Sequence, residues 1–269
     1  MVRSDDLLAE FDSLPRHEAE RLLAAATGRS RSQVVLGIDV TQTDEAEFRS
    51  FARRRRADEP LQYIEGSVPF GPVSIDVDDR VLVPRPETEY LFELLTKRLE
   101  DPSVIVDLCT GSGNLALAFK ATFPRADVYA TDLSKDAVAV ARANATKNDL
   151  DVTVLEGDLF SSLPDRLRGT VDLLVANPPY LAESEVAGLP RDVLTEPRGA
   201  LVAGAAGDEL VERIGRDAEM WLAPGGTVAC EVSEFHAKSV IDHFRNIETS
   251  VIKDLTGRDR FVVGVSAVE

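Results

Sequence analysis

Val104-Ile105-Val106-Asp107-Leu108-Cys109-Thr110-Gly111-Ser112-Gly113-Asn114 reads as a strand, a glycine turn and the start of a helix. Its opening residues form a short, β-branched apolar run of the kind a buried strand needs. Glycines at 111 and 113 let the backbone approach a ligand closely, and the helix start that follows favours negative charge. Gly111, Gly113 and Ala116 also satisfy the dinucleotide-binding pattern. The turn therefore leaves both a nicotinamide cofactor and S-adenosylmethionine open.

Downstream of this unit the chain alternates between the two hydrophobic periods. Strands are predicted at 104–108, 128–131, 152–155, 171–176, 227–232, 250–253 and 261–265, and helices at 115–121, 137–148, 208–221 and 237–245. Such alternation predicts an α/β, Rossmann-like sheet of seven strands, mostly parallel and doubly wound. The short connection 255–260 predicts an antiparallel pair at one edge.

Asp107, Asp132, Asp158 and Asn177 fall at the carboxyl ends of four consecutive predicted strands, where open α/β sheets bind ligands. Asp132 is placed to hold ribose hydroxyls, and Asp158 suits an adenine amino group. Each acid taken alone equally suits a helix cap; their shared position gathers them into one crevice. Asn177 opens Asn177-Pro178-Pro179-Tyr180, at the end of the apolar run 171–176. The prolines stop the strand and have no N–H, so their carbonyls face a ligand without a competing donor from the same residue. With the Asn177 amide and the Tyr180 ring, the stretch suits a planar group bearing NH2: an amide or the exocyclic amine of a base.

Upstream, residues 5–66 are helical in pattern and punctuated by Gly28 and Gly37. Arg53-Arg54-Arg55-Arg56 invites a nucleic-acid reading, but the run lacks interleaved aromatics and reads better as a solvated helix end. Residues 60–66 look hinge-like. A hairpin is predicted over 68–77 around Gly71-Pro72, and a helix from Pro84-Arg85-Pro86-Glu87-Thr88-Glu89 carries Leu91, Leu94, Leu95 and Leu99. Three segments follow: 1–66 helical, 67–84 a hairpin connection and 85–269 the sheet domain.

The formal net charge of −17 argues against broad phosphate binding, so no direct nucleic-acid contact is expected. No apolar run approaches the ~20 residues of a membrane span. With two cysteines, Cys109 and Cys230, a disulfide framework is not expected and the thiols are read as reduced. A cytoplasmic monomer is the expectation. No metal is expected, since the chain lacks His/Cys ligand spacing and His17, His236 and His243 lie outside the motifs.

These residues and their spacing resemble the HemK/PrmC family of release-factor glutamine N5-methyltransferases. The resemblance runs through Pro60-Leu61-Gln62-Tyr63-Ile64, the hairpin, Val83 to Glu89, the glycine turn, Asn177 to Tyr180, Glu196-Pro197 and Gly257-Arg258-Asp259-Arg260. It implies an S-adenosylmethionine-dependent methyltransferase domain that releases S-adenosylhomocysteine, preceded by a helical domain that docks a release factor. It further implies that Asp107, Cys109, Thr110, Gly111, Ser112, Gly113, Asp132, Leu133, Asp158, Leu159 and Asn177 hold the cofactor. Asn177, Pro178, Pro179, Tyr180, Arg85 and Glu87 would receive the substrate, with Asn177, Pro178 and Tyr180 at the chemistry.

Cys109 stands where glycine is usual in the family, as in sister enzymes that methylate a ribosomal-protein glutamine. Its side chain is compatible with the turn so long as its backbone keeps a negative φ. Leu159 stands where a tryptophan is frequent. Asn-Pro-Pro-Tyr is shared with adenine and cytosine amino-methyltransferases, so an adenine-N6 enzyme acting on nucleic acid stays open as a further reading.

Overall fold

Capping and punctuation divide the first 66 residues into short helices. The structure, a computed structural model, describes residues 1–268. A two-residue strand β1 (Val2–Arg3) leads into α1 (Ser4–Ala9), α2 (Arg16–Thr27) and α3 (Arg31–Leu36). Strand β2 (Asp39–Val40) pairs antiparallel with β1 and precedes α4 (Gln42–Arg56) and α5 (Leu61–Glu65). Gly28 ends α2 at φ 62°, and Ser30/Gln33 and Thr41/Asp44 form capping boxes at the starts of α3 and α4. Leu7, Leu22, Leu23, Val34 and Phe48 are fully buried together, with the Phe11 and Phe48 rings edge to face at 4.8 Å.

The 60–66 stretch holds helix α5, with Leu61, Tyr63 and Ile64 buried, just ahead of the boundary between the two units. The Pro60 carbonyl accepts from the N–H groups of Tyr63 and Ile64, and Gly66 stops the turn at φ 79°. The arginine run ends α4 among acids: Arg54 pairs with Glu59, and Arg55 with Glu18 at 2.7 Å and Asp192 at 3.4 Å. Met1–Ser67 and the distant segment Pro190–Thr195 form one compact unit; Val68–Leu189 with the described residues from Glu196 onward form the other.

In the second unit, β3 (Ser67–Phe70) and β4 (Val73–Asp76) make the expected hairpin, Ser67 itself belonging to the first unit, and α6 spans Pro86–Thr96. Then come β5 (Val104–Leu108), α7 (Asn114–Thr122), β6 (Asp127–Asp132), α8 (Lys135–Lys147), β7 (Thr153–Glu156) and β8 (Val171–Ala176). Short strands β9 (Leu181–Ala182) and β10 (Val202–Gly204) pair with each other before α9 (Glu209–Ala218). The chain closes with β11 (Leu222–Glu231), β12 (Ile247–Lys253) and β13 (Asp259–Ser266).

Among the described residues these strands build a seven-stranded sheet in the order β12-β13-β11-β8-β5-β6-β7, the expected mostly parallel architecture. β13 runs antiparallel to both neighbours and the other pairs are parallel. Strand order reverses between β5 and β8, which opens a crevice at their carboxyl ends.

The 237–245 stretch is not an α-helix. Ala237, Val240 and Phe244 are buried at helical spacing, but a broken succession of three- and four-residue turns and a short 3₁₀ segment, Val240–His243, carry them. Ser239 Oγ donates to the His236 carbonyl at 2.9 Å, the local competition that disfavours hydroxyl residues inside helices.

Asn144 ties the hairpin to the glycine turn, a link no local pattern announces. It is fully buried on α8; its Oδ1 accepts from Asp76 N–H at 2.8 Å, and its Nδ2 donates to the carbonyls of Asp76 and Ser112.

Candidate active site

The β5–α7 turn is built from backbone conformations that few side chains tolerate. Gly111 and Gly113 take φ 55° and 85°. A Cβ on Gly113 would lie 3.2 Å from the Ala141 Cβ, so this glycine serves the packing of α7 against α8 and is not among the cavity-lining residues. Cys109 also takes a positive φ, 57°, contrary to the negative φ expected from the sequence. The reason is the turn itself: the chain must leave β5 sharply to present Thr110 and Gly111, a demand glycine meets most easily. Burial pushes the Cys109 thiol well above its usual range, which leaves it a poor nucleophile.

A cavity of about 360 Å³ opens at the β5/β8 switch point, within the usual range for small-molecule sites. Asp107, Cys109, Thr110, Gly111, Ser112, Asp132, Leu133, Asp158, Leu159, Asn177 and Pro179 all line it. Pro178, Tyr180, Arg85 and Glu87 do not. Arg85 instead donates to Glu196 Oε1 at 2.6 Å, while Glu196 Oε2 accepts from Val83 N–H. Glu87 pairs with Arg258 at 3.3 Å.

Three acids have distinct surroundings. Asp132 Oδ2 accepts from Gly111 N–H and its Oδ1 from Ser134 N–H, both at 2.8 Å; burial still holds its carboxyl above the usual range. Asp158 pairs with Arg213 at 2.7 Å on the cavity edge. Asp107 is fully buried: Oδ2 accepts from Thr110 Oγ1 at 2.6 Å and Ala116 N–H at 3.1 Å, while Oδ1 has no partner. Burial pushes this carboxyl up to about 7. Ser112 Oγ is likewise buried without a partner.

Leu133 is exposed on the cavity rim and Leu159 sits buried at φ 51°, its carbonyl accepting from Thr131 Oγ1 at 3.0 Å. Both offer apolar surface to a flat ring. An unpaired carboxylate oxygen and an unpaired hydroxyl beside a glycine turn, with a second acid and apolar walls, fit an adenosyl group carrying an amino-acid tail.

Asn177 follows β8 into the same cavity, and its Nδ2 donates to Thr88 Oγ1 at 3.0 Å. Thr88 in turn donates to Glu231 Oε2 at 2.7 Å, and the Tyr180 hydroxyl donates to Glu231 Oε1 at 3.1 Å. Thr88 and Glu231 are absent from the sequence-based set. Thr88 enters the sequence reading only through its place in Pro84–Glu89, and Glu231, at the end of β11, has no chemical role assigned by the sequence. Among the described residues no His/Cys/Asp/Glu cluster suits a metal ion, and no helix is long and apolar enough to cross a membrane.

Two family models match: the PrmC N-terminal domain over residues 5–66 and the methyltransferase small domain over residues 86–205. The chain is 38% identical over 255 residues to a release factor glutamine methyltransferase of Deinococcus radiodurans, covering 92% of this chain and 90% of that one. To the enzyme of that name from Bordetella pertussis it is 36% identical, covering 98% and 99%. In fold it is similar to a methyltransferase from Pyrococcus furiosus, with TM-score 0.54 and 20% identity over 73% of this chain and 90% of that one. A match of this depth over more than nine-tenths of the chain, on a site with this geometry, means that the chain belongs to the family of release factor glutamine methyltransferases.

Proposed function

We propose that the protein methylates the side-chain amide nitrogen of a glutamine in a peptide chain release factor, with S-adenosylmethionine as donor and S-adenosylhomocysteine as product. The observation that carries this reading is Asn177: one N–H of its amide donates to Thr88, which fixes the amide's orientation and leaves Oδ1 free to accept in the cavity that Asn177 lines. An acceptor there matches an incoming group that brings hydrogens, as a primary amide does. The names carried by the relatives at 38% and 36% identity support a release factor as the acceptor's source.

S-adenosylmethionine supplies a methyl made electrophilic by its sulfonium. Asp107 Oδ1 and Ser112 Oγ, buried and unpartnered, are matched to the amino-acid end of the donor, Asp132 to its ribose and Asp158 with Leu133 and Leu159 to its adenine. An amide nitrogen is a weak nucleophile because its lone pair is delocalised, so the protein's main task is placement. Alignment of reacting atoms supplies ~7–11 kcal/mol in favourable cases. Asn177 Oδ1 and the Pro178 carbonyl each accept one amide hydrogen, aim the nitrogen at the methyl and stabilise the positive charge that develops on it. Tyr180 packs beside the amide. Residues 1–66, which contribute nothing to the cavity lining, serve as the docking surface for the rest of the release factor.

The test is transfer of labelled methyl from S-adenosylmethionine to a purified bacterial release factor, a large-subunit ribosomal protein and duplex DNA offered separately. Label on a release-factor glutamine, located by peptide mass spectrometry, is the expected result. Label on the ribosomal protein or DNA alone overturns the reading.

A further inference from the structure

Glu231 closes β11 next to the acceptor site and is 1% exposed, an unusual place for a carboxylate that contacts no donor or acceptor of the reaction in the scheme above. Its two oxygens are taken by Thr88 Oγ1 at 2.7 Å and the Tyr180 hydroxyl at 3.1 Å. A hydroxyl has one hydrogen, and an ionised carboxylate has none to give. If Thr88 donates to Glu231, it has only lone pairs left for Asn177. Thr88 then accepts from the Asn177 NH2 and has nothing to offer Oδ1. The direction of each bond therefore follows from one charge.

The charged groups facing Glu231 are opposed. Burial holds the Glu231 carboxyl above its ordinary range and Glu87 adds to this, while the hydrogen bonds from Thr88 and Tyr180 and the charge of Arg260, which lies over the Tyr180 ring at 5.7 Å from its centroid, favour the ionised form. Four elements are involved: Thr88 from α6, Asn177 and Tyr180 after β8, Glu231 from β11 and Arg260 from β13.

We infer that Glu231 is a positioning residue which, through Thr88, fixes the polarity of the Asn177 amide so that Oδ1 and not NH2 meets the acceptor nitrogen, and which holds Tyr180 from its other oxygen. This deepens the glutamine-methylation reading and rests on it. The reversed amide would present two hydrogens to a substrate that also brings hydrogens, and transfer would stop although both substrates bind. In this arrangement Glu231 also makes the site selective for groups bearing NH2 over hydroxyl or carboxylate acceptors, which lack a second hydrogen for the fixed pair of oxygens.

Glu231→Gln keeps size and replaces one oxygen with NH2. Facing Thr88, that NH2 donates to Oγ1 and frees the Thr88 hydrogen for Asn177 Oδ1, which turns the amide round. With S-adenosylmethionine and a bacterial release factor as substrates, kcat is expected to fall up to about 100-fold, as for a misplaced reacting group. Donor affinity by calorimetry, KM for the release factor and the thermal midpoint should stay near wild type. Thr88→Val should reproduce the loss, Thr88→Ser should recover most of the rate, and the double variant Thr88→Val/Glu231→Gln should be no slower than the slower single variant.

A second readout needs no acceptor. In ¹⁵N-labelled protein the Asn177 side-chain NH2 should exchange slowly with water and lose that protection in Thr88→Val. Wild-type kcat in Glu231→Gln overturns the inference, as do additive losses in the double variant. So does a parallel fall of donor affinity, kcat and thermal midpoint, the pattern of a merely structural carboxylate. If wild-type protein methylates no release factor while the Asn177 protection and its loss are seen, the polarity assignment stands and the substrate reading falls.

Discussion

The Gly111 N–H donates to Oδ2 of Asp132 at 2.8 Å, so the glycine turn after β5 is pinned to the acid that ends β6. The ends of two neighbouring strands thus meet at one carboxylate before any ligand arrives, and this wall of the cavity is preformed.

Removing that carboxylate should weaken the donor in two ways, by loss of ribose contacts and by loosening of the turn. Asp132→Ala is expected to reduce S-adenosylmethionine affinity by ~1.5–3 kcal/mol, the range for hydrogen bonds to a charged group. Asp132→Asn keeps an oxygen for Gly111 and should lose less. Calorimetric titration ranks the two; unchanged affinity in the alanine variant would remove Asp132 from the site.

Cys109 gives a prediction that runs against ordinary substitution rules. Its φ of 57° is a conformation that costs a side chain roughly 1–3 kcal/mol. Cys109→Gly relieves that strain, whereas Cys109→Ala keeps it and also loses the sulfur's packing. The glycine variant should therefore melt at the higher temperature and still bind donor. An alanine variant more stable than the glycine one would show that the turn bears no strain at this residue.

The pH dependence of donor binding follows from Asp107. Burial holds its carboxyl up at about 7 in the free protein, and a neighbouring ammonium favours the ionised form. Below pH 7 the group starts protonated and binding must release that proton. Affinity should then fall by up to about tenfold per pH unit below 7 and be flat above it. Calorimetry in buffers of different ionisation enthalpy counts the proton. The folding term has the opposite benefit. A raised carboxyl pKa contributes stability below the unfolded value, 3.8, and that contribution is lost as pH rises through about 7. Asp107→Asn should accordingly stabilise the free protein more at pH 8 than at pH 5, and abolish proton release. Retained proton release in that variant would assign the titration elsewhere.

Division of labour along the chain is testable by deletion of residues 1–66. The cavity lining lies wholly at residues 80–210, so the shortened protein should bind donor once circular dichroism shows the sheet intact. Its kcat/KM on whole release factor should drop, because remote contacts that place the acceptor are gone. On a short peptide carrying the acceptor glutamine it should match the full chain. Equal losses on both substrates would end the docking role of the helices.

Much of this was legible before folding because the informative features are local. The strand–turn–helix at 104–114 and the alternation after it set the sheet, and strand ends set the crevice. What the sequence hid was long-range or conformational. Residues 237–245 keep helical burial spacing without a helix, since burial constrains where a side chain points and not how the backbone gets there. The short helix in Pro60–Gly66 is hidden because proline and glycine punctuate both loops and short helices. The positive φ of Cys109 belongs to the turn and not to the residue. Glu231 and Thr88 meet from opposite ends of the domain, and no periodicity encodes that meeting.

Those separations carry a consequence for how activity is acquired. Asn177 reaches Thr88 across 89 residues of chain, and Thr88 reaches Glu231 across 143. Loops of this length close late, after the more local pairings have formed. The donor's turn, by contrast, joins Gly111 to Asp132 across 21 residues. A refolding chain should therefore become able to bind S-adenosylmethionine before it can align an acceptor amide. By the inference drawn for Glu231, a ribosome-bound chain that has not yet emitted β11 lacks the carboxylate that sets the Asn177 amide, so methyl transfer should wait until β11 has joined the sheet.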